Sequence, residues 1–508
     1  MANDRATISC SGKRGGALNT SIIVRRLPQI NLKLLAAIFV VGVFSIFFGL
    51  LAVTANPIMI GLGAGMVLGP ILLALPALTV WIVLVIGLLM GVLSANPQFS
   101  KVTWIVSILS MMLLLPSILN MLWSKARKAP AFILIALAFM GYSLVVSIAQ
   151  WYSLAEFVAG FKRYFQMFGL MMAITLIIFT PQSFVRWRKF MLVIALLQFP
   201  FALYELLILV PQRGGLALSS YTTDIIAGTF GANMQGGSPN SVMVIFLFSA
   251  IAFLVARWRS GLVNSKYFYI LFVIFMLPIG MGETKIALVM LPMVGLVLFG
   301  KDFMYAPLRY LPALIGVALL TFLLGYLYVV IMMQSSPMEV LESTLKYNIG
   351  SQGYSDGQYL NRWTSITFWL GEQSLRDPVG FIFGNGLGSS YTSTGAMAGH
   401  LGLKYLNYGI NLTAASTILW DTGLIGLILF ISIFVSAWFA AKKLEKLSSD
   451  PSVKADALAI QATIPLFMLS IVYSDSIVNL LSMEMLYAVL LGYLGYLLNQ
   501  QGAFKRSR

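Results

Sequence analysis

Residues 130–149 read PAFILIALAFMGYSLVVSIA. Twenty positions pass without a charge, and a helix of that length, rising about 1.5 Å per residue, covers the roughly 30 Å of a bilayer's hydrocarbon core. Runs of similar character recur at 34–53, 57–76, 78–95, 102–122, 164–180, 190–210, 240–256, 267–281, 286–299, 310–331, 416–440, 458–474 and 479–498. The pattern predicts an all-α polytopic membrane protein with about 12–14 transmembrane helices. The short pair 267–281 and 286–299 fits either a hairpin or one kinked helix. Composition agrees: of 508 residues, 59% are hydrophobic and 10% charged, where a soluble domain carries about 25% charged residues.

The formal net charge of +16 does not point to nucleic acid, because most Lys and Arg sit between apolar runs, where they set topology. With the N-terminus in the cytoplasm and sides alternating, 24 of the 33 basic residues fall inside and 9 outside, and both termini are cytoplasmic. The chain then divides into a basic cytoplasmic tail (1–32), a transmembrane bundle (33–331) with a short outer loop at 211–239, a large outer loop (332–415), C-terminal helices (416–498) and a cytoplasmic tail (499–508). The first 30 residues are polar and basic, and the run after them is too long for a signal peptide's apolar core, so it reads as a retained first helix. The single cysteine, Cys10, excludes an internal disulfide and a cysteine-rich zinc site.

The outer cations are Lys101, Lys162, Arg163, Arg213, Lys285, Lys346, Arg362, Arg376 and Lys404. They oppose the topological preference, and binding a negative ligand is a reason to keep them there. The outer loop 332–415 spans 84 positions, too many for a plain connection. Ser336-Pro337-Met338-Glu339 has the capping-box pattern and a second helix is expected near Tyr359; then come GNGLGSS at 384–390 and the only histidine, His400. A Gly-rich loop beside Lys and Arg suits a phosphate or pyrophosphate, though the same glycines also suit a simple turn. Without a P-loop lysine or a βαβ unit, GNGLGSS does not support nucleotide binding.

His400 suits a general base for a hydroxyl, and a lone histidine is also often structural. Carboxylates that can replace it are Asp224, Glu283, Asp356, Glu372, Asp377 and Asp421. Glu283 and Lys285, in GETK, stand at the membrane face, either as functional charges or as a local pair. Lys162 and Arg163 end another apolar run, positioned for an anionic headgroup of the substrate or for ordinary lipid headgroups. No metal-ligand spacing is present, and no cofactor is expected.

Four segments carry a family likeness. GTFGAN at 228–233 is followed by Ser238-Pro239-Asn240; GETKIALV occupies 282–289; Asn361-Arg362-Trp363 precedes Asp377-Pro378 and GNGLGSS; and His400 precedes Asp421-Thr422-Gly423-Leu424-Ile425-Gly426. In order and placement the chain resembles the O-antigen ligase and Wzy-type polysaccharide polymerase superfamily of bacterial inner membranes. Those segments stand where members carry G-T-F-x-N-P-N, a Ser-Arg pair (here Thr284-Lys285), R-x-x-x-W…P-x-x-G-x-G-x-G, and a loop histidine before E-x-G-l-I-G. The chain departs from the pattern in two places. Asp224-Ile225-Ile226-Ala227 replaces the arginine before G-T-F, leaving Arg213 nearest, and His400 lies 21 residues before Asp421 and is followed by Leu401. Both departures sit more easily with a polymerase than with a ligase.

The resemblance implies a GT-C-like, metal-independent glycosyltransferase acting on undecaprenyl-pyrophosphate-linked oligosaccharide, donor and acceptor alike, at the periplasmic face. A chain-length-regulating co-polymerase would be its partner. Arg213, Lys285 and Arg362, with Arg163 and Lys162 in reserve, would take the pyrophosphate. His400 would be the base, with Asp224 and Glu283 as alternatives. The rival readings are a ligase onto lipid A core and a transporter of lipid-linked sugars, for which no internal repeat is visible.

Overall fold

The computed structural model describes residues 68–94, 102–123, 127–213, 225–234, 239–282, 284–306, 336–351, 359–392 and 397–506, with a few isolated positions besides. Contacts divide the chain into two compact units, Met1–Ile71 and Leu72–Arg508. Nearly all the described residues belong to the second.

The described residues form helices and no β-strand. Among the described residues seven helices are long and apolar enough to cross a membrane, or up to eight if the bent pair Leu68–Ala74 and Pro76–Leu88 is one span. The protein is therefore an all-helical, multi-pass membrane protein. This is the architecture that leaves no backbone polar group unpaired in hydrocarbon. The apolar runs at 34–53, 57–76 and 310–331 lie wholly or mostly outside the described residues.

The principal helices of the second unit, in chain order, are α1 (Ala131–Ala149), α2 (Leu154–Phe165), α3 (Phe168–Leu176), α4 (Pro181–Tyr204), α5 (Asn240–Arg259), α6 (Ser265–Met281), α7 (Ala287–Tyr305), α8 (Pro337–Ile349), α9 (Arg362–Gln373), α10 (Pro378–Phe383), α11 (His400–Lys404), α12 (Ala414–Leu447), α13 (Pro451–Tyr473) and α14 (Leu481–Arg506). The 267–299 stretch is two helices, α6 and α7, not one kinked helix.

Two apolar runs behave differently from a straight span. The run 164–180 is not one helix: α2 carries its first residues, the chain breaks at Gln166–Met167, and the nine-residue α3 is buried along its whole length. Gln166 explains the break. Inside the bundle its amide donates to Glu484 Oε1 at 2.6 Å and its carbonyl accepts from Ser107 Oγ at 2.9 Å. The run 190–210 continues α4 through a π-helical turn at Glu205–Leu209.

The helices extend past the apolar runs at their charged ends, and one ion cluster joins four of them there. Asp456 of α13, 1% exposed, takes a two-pronged bond from Arg257 of α5, with both N···O distances 2.7 Å. Tyr493 Oη of α14 donates to it at 2.6 Å, and Arg188 of α4 stands 3.6 Å away. A bidentate guanidinium–carboxylate pair with an added hydroxyl is the arrangement that lets a carboxylate stay buried.

The described parts of 332–415 carry the helices α8 to α11. The capping box at Ser336 and Glu339 forms as the sequence predicts, with Pro337 opening α8. The second helix starts at Arg362, capped by Asn361, three residues after the expected Tyr359. The loop is tied to the bundle at a break in α12. Gly423 there has φ +66°, inside a helix otherwise continuous from Ala414 to Leu447. Carbonyls of the residues before the break accept from outside the helix: Trp420 O from Asn385 N, Asp421 O from Gly386 N, and Thr422 O from Tyr142 Oη. Replacing Asp421 by Ala, which strips the acceptor from four buried donors in the same knot, is expected to destabilise the protein by about 3–5 kcal/mol. The measurement is the apparent Tm in detergent, and an unchanged Tm refutes the knot's role.

Candidate functional site

Helix α2 builds the site. Ser153 caps it by accepting from Glu156 N at 3.2 Å, which places Glu156 in the first turn. Glu156 is buried (3% exposed) and faces the start of α11. One of its oxygens accepts from His400 N at 2.9 Å, and both stand 3.1 Å from His400 Nδ1. The imidazole stacks on Tyr152, ring centres 4.6 Å apart, and 27% of the side chain is exposed. Among the described residues Nε2 has no partner. A carboxylate at Nδ1 favours the tautomer that carries its proton there and turns a lone pair outward at Nε2.

Two turns further along the same face of α2, about 10 Å by helical rise, stands Arg163. It is 8% exposed. Its Nε donates to Asn479 Oδ1 at 2.8 Å, and the guanidinium lies 3.6 Å over the ring of Tyr391. Asn479 in turn donates to Asp475 Oδ2 at 2.8 Å. Burial pushes the Asp475 carboxyl up from its ordinary pKa, against the pull of the Asn479 bond and the Arg163 charge. The two Nη groups of Arg163 make no hydrogen bond among the described residues, so its fork is held by one edge and by stacking. Lys162 lies beside it, its ammonium 4.8 Å from the ring centre of Trp104.

Residues 387–392 and 397–400 meet both poles. Tyr391 O accepts from Gly399 N at 2.9 Å, which joins the Arg163 side to His400. Glycines allow the close approach: a Cβ on Gly160 would lie 2.4 Å from Gly388 N, and one on Gly388 would lie 2.5 Å from Glu156 O. Gly384, Gly386 and Gly388 all have positive φ. All six amides from 385 to 390 donate inside the protein, to Trp420 O, Asp421 O, Ser147 Oγ, Asp421 Oδ2, Gly386 O and Asp421 Oδ1 in order. GNGLGSS is thus a packing device and presents no amide cradle to a phosphate. In the GTFGAN segment the amides of Ala227 and Gly228 donate to Glu205 Oε2 at 2.9 and 2.8 Å, and Thr229 N donates to Gln198 Oε1 at 3.1 Å. An internal carboxylate already occupies that nest.

The other expected site residues separate into distinct places. Arg362 donates from Nε to Tyr473 O and from Nη1 to Asn348 Oδ1, both at 2.6 Å, and lies over the Tyr473 ring; it fastens α8 and α9 to the end of α13. Lys285 Nζ donates to Thr344 Oγ1 at 2.9 Å and ties the 282–286 turn to α8. Glu372 accepts from Tyr405 Oη and pairs with Arg376, Asp377 caps α10 and Asp421 anchors the loop. Asp224, Glu283, Asp356 and the side chain of Arg213 lie outside the described residues. Among the described residues no three His, Cys, Asp or Glu side chains converge to hold a metal ion.

Sequence reasoning missed Glu156, Tyr391, Asp475, Asn479 and Glu205. A signal existed for two: Ser153-Leu154-Ala155-Glu156 is itself a capping-box pattern, and Glu205 interrupts an apolar run, where a charge is costly. Nothing in the sequence brings Tyr391 and Asn479 to Arg163.

No family model and no curated protein sequence matches the chain. The functional reading therefore rests on this geometry together with the resemblance seen in the sequence.

Gly388→Ala is expected to push the loop off Glu156 and lower the apparent Tm by several degrees. Gly371→Ala, in a helix with nothing within 4 Å of the new methyl, is expected to be neutral or stabilising by about 0.4–1 kcal/mol. Thermal unfolding of the pair in one detergent checks both.

Proposed function

We propose that the protein is a glycosyltransferase that joins lipid-pyrophosphate-linked oligosaccharide repeat units on the outer face of a bacterial inner membrane. The observation that supports this is the pairing, on one face of α2, of the Glu156–His400 dyad with the buried Arg163. Helix α2 leads into the fully buried α3, and Arg163 stands nearer that junction than Glu156 does. That is the order a membrane-anchored pyrophosphate with its sugar pointing outward requires. In this reading 332–415 is the periplasmic loop of a GT-C-like protein with about 12–14 spans, and a chain-length-regulating partner is an added expectation.

An acceptor hydroxyl approaches His400 Nε2, which takes its proton as the oxygen attacks the donor's anomeric carbon. The bond from that carbon to the pyrophosphate oxygen breaks, and lipid pyrophosphate leaves with the electron pair. Charge grows on the leaving group, so the Arg163 fork, with Lys162 behind it, stabilises the transition state more than the ground state. Glu156 positions the imidazole and stabilises its protonated form. Arg362 and Lys285, expected from sequence at the pyrophosphate, are here given the role of fastening the 332–415 loop, through Tyr473 O and Asn348 and through Thr344.

The test is a vesicle assay with purified protein and the lipid-linked repeat unit, products resolved as a ladder on a gel. His400→Gln is expected to lower the rate about 10²–10⁴-fold with unchanged apparent Tm. Glu156→Gln is expected to lower it less and to move the pH profile of the rate, which a purely structural role would leave in place. Arg163→Gln is expected to raise the donor concentration needed as well as to slow the step. A wild-type ladder from folded His400→Gln sinks the reading. Transfer only onto lipid A core would make the protein a ligase, and no covalent product from wild type would favour transport.

A further inference from the structure

The end of α12 remote from the site carries a feature that the proposed reaction does not use. From Gly423 to Leu447 the helix runs about 36 Å, past a hydrocarbon core of roughly 30 Å, so its last turns emerge at the opposite membrane border. One side of those turns is packed: Ala437, Ala441 and Leu444 are fully or nearly fully buried. The other side bears Phe439, Lys442, Lys443, Lys446 and Leu447, which line one shallow groove. Phe439 is 60% exposed and Leu447 52%.

Three ammonium groups within little more than one turn repel one another. None of them is in an ion pair among the described residues. The one carboxylate in the stretch, Glu445, accepts a hydrogen bond from Gln461 of α13. Lys442 is half-buried, its ammonium 4.8 Å from the Trp438 ring centre, and tryptophan is the residue that marks the headgroup border. Apolar groups flank the cations, so both parts of a phospholipid meet a complement here: phosphate at the lysines, acyl chain along Phe439 and Leu447.

We propose that this face of α12 binds the headgroup of an anionic phospholipid of the adjoining leaflet. The lysines give the phosphate several ammonium donors, and its charge relieves their mutual repulsion. The inference is independent of the glycosyltransferase reading.

Protein purified in a neutral detergent is titrated with phosphatidylglycerol, diphosphatidylglycerol and, separately, phosphatidylcholine. Retained lipid is counted by native mass spectrometry, and the apparent Tm is followed in parallel. Wild type is expected to retain the anionic lipids and gain several degrees. K442Q/K443Q/K446Q, with an unchanged Tm in detergent alone, is expected to bind them at least tenfold more weakly, and K442R/K443R/K446R is expected to restore binding. Equal retention of phosphatidylcholine, undiminished binding by the folded glutamine variant, or the same Tm gain from glycerol phosphate alone overturns the proposal.

Discussion

The carboxylate of Asp421 is the constraint around which α2, the 384–390 loop and the break in α12 are arranged. A charge in a membrane-spanning helix is costly unless every acceptor site is used. Here the helix breaks two residues later, at Gly423, and the chain 33 residues upstream returns to fill those sites. Gly388 N and Tyr164 Oη donate to one oxygen, and Ser389 Oγ and Ser390 N to the other. The break and the loop need each other. Without the loop the carboxylate keeps only Tyr164 Oη, and without the break the loop amides have no carbonyls to reach.

The candidate site is a consequence of that knot. Drawing 384–390 down against α12 lays Leu387 and Gly388 over Gly160. Tyr391 then lies over Arg163, and His400 beside Glu156. The same helix bears the acid that holds the imidazole and the buried cation. Their spacing is therefore set by helical rise rather than by loop conformation. That is the rigidity a proton acceptor and a charge stabiliser need if both are to meet one substrate.

Much of this was legible in the sequence because it is local. The capping box at Ser336 and the apolar runs 130–149, 240–256 and 416–440, which the helices Ala131–Ala149, Asn240–Arg259 and Ala414–Leu447 contain or nearly match, follow from spacing within a turn or two. The glycines of GNGLGSS were legible as special but not in purpose. A phosphate cradle and a tight packing turn both call for glycine, and only the destination of each amide separates them. For Arg362 and Lys285 the sequence shows where a cation stands in the chain, but not that a carbonyl or hydroxyl of the same chain meets one of its donors.

What the sequence by itself determined is the class: apolar runs of membrane length make helices, and periodicity and capping place most of their ends, because those effects act over a few residues of backbone. What only the tertiary structure decided is which polar groups meet. Glu156 and His400 are 244 positions apart, Arg163 and Asn479 316. No local propensity links such residues; burial does, since a carboxylate or guanidinium taken out of water is stable only where the fold delivers it a partner.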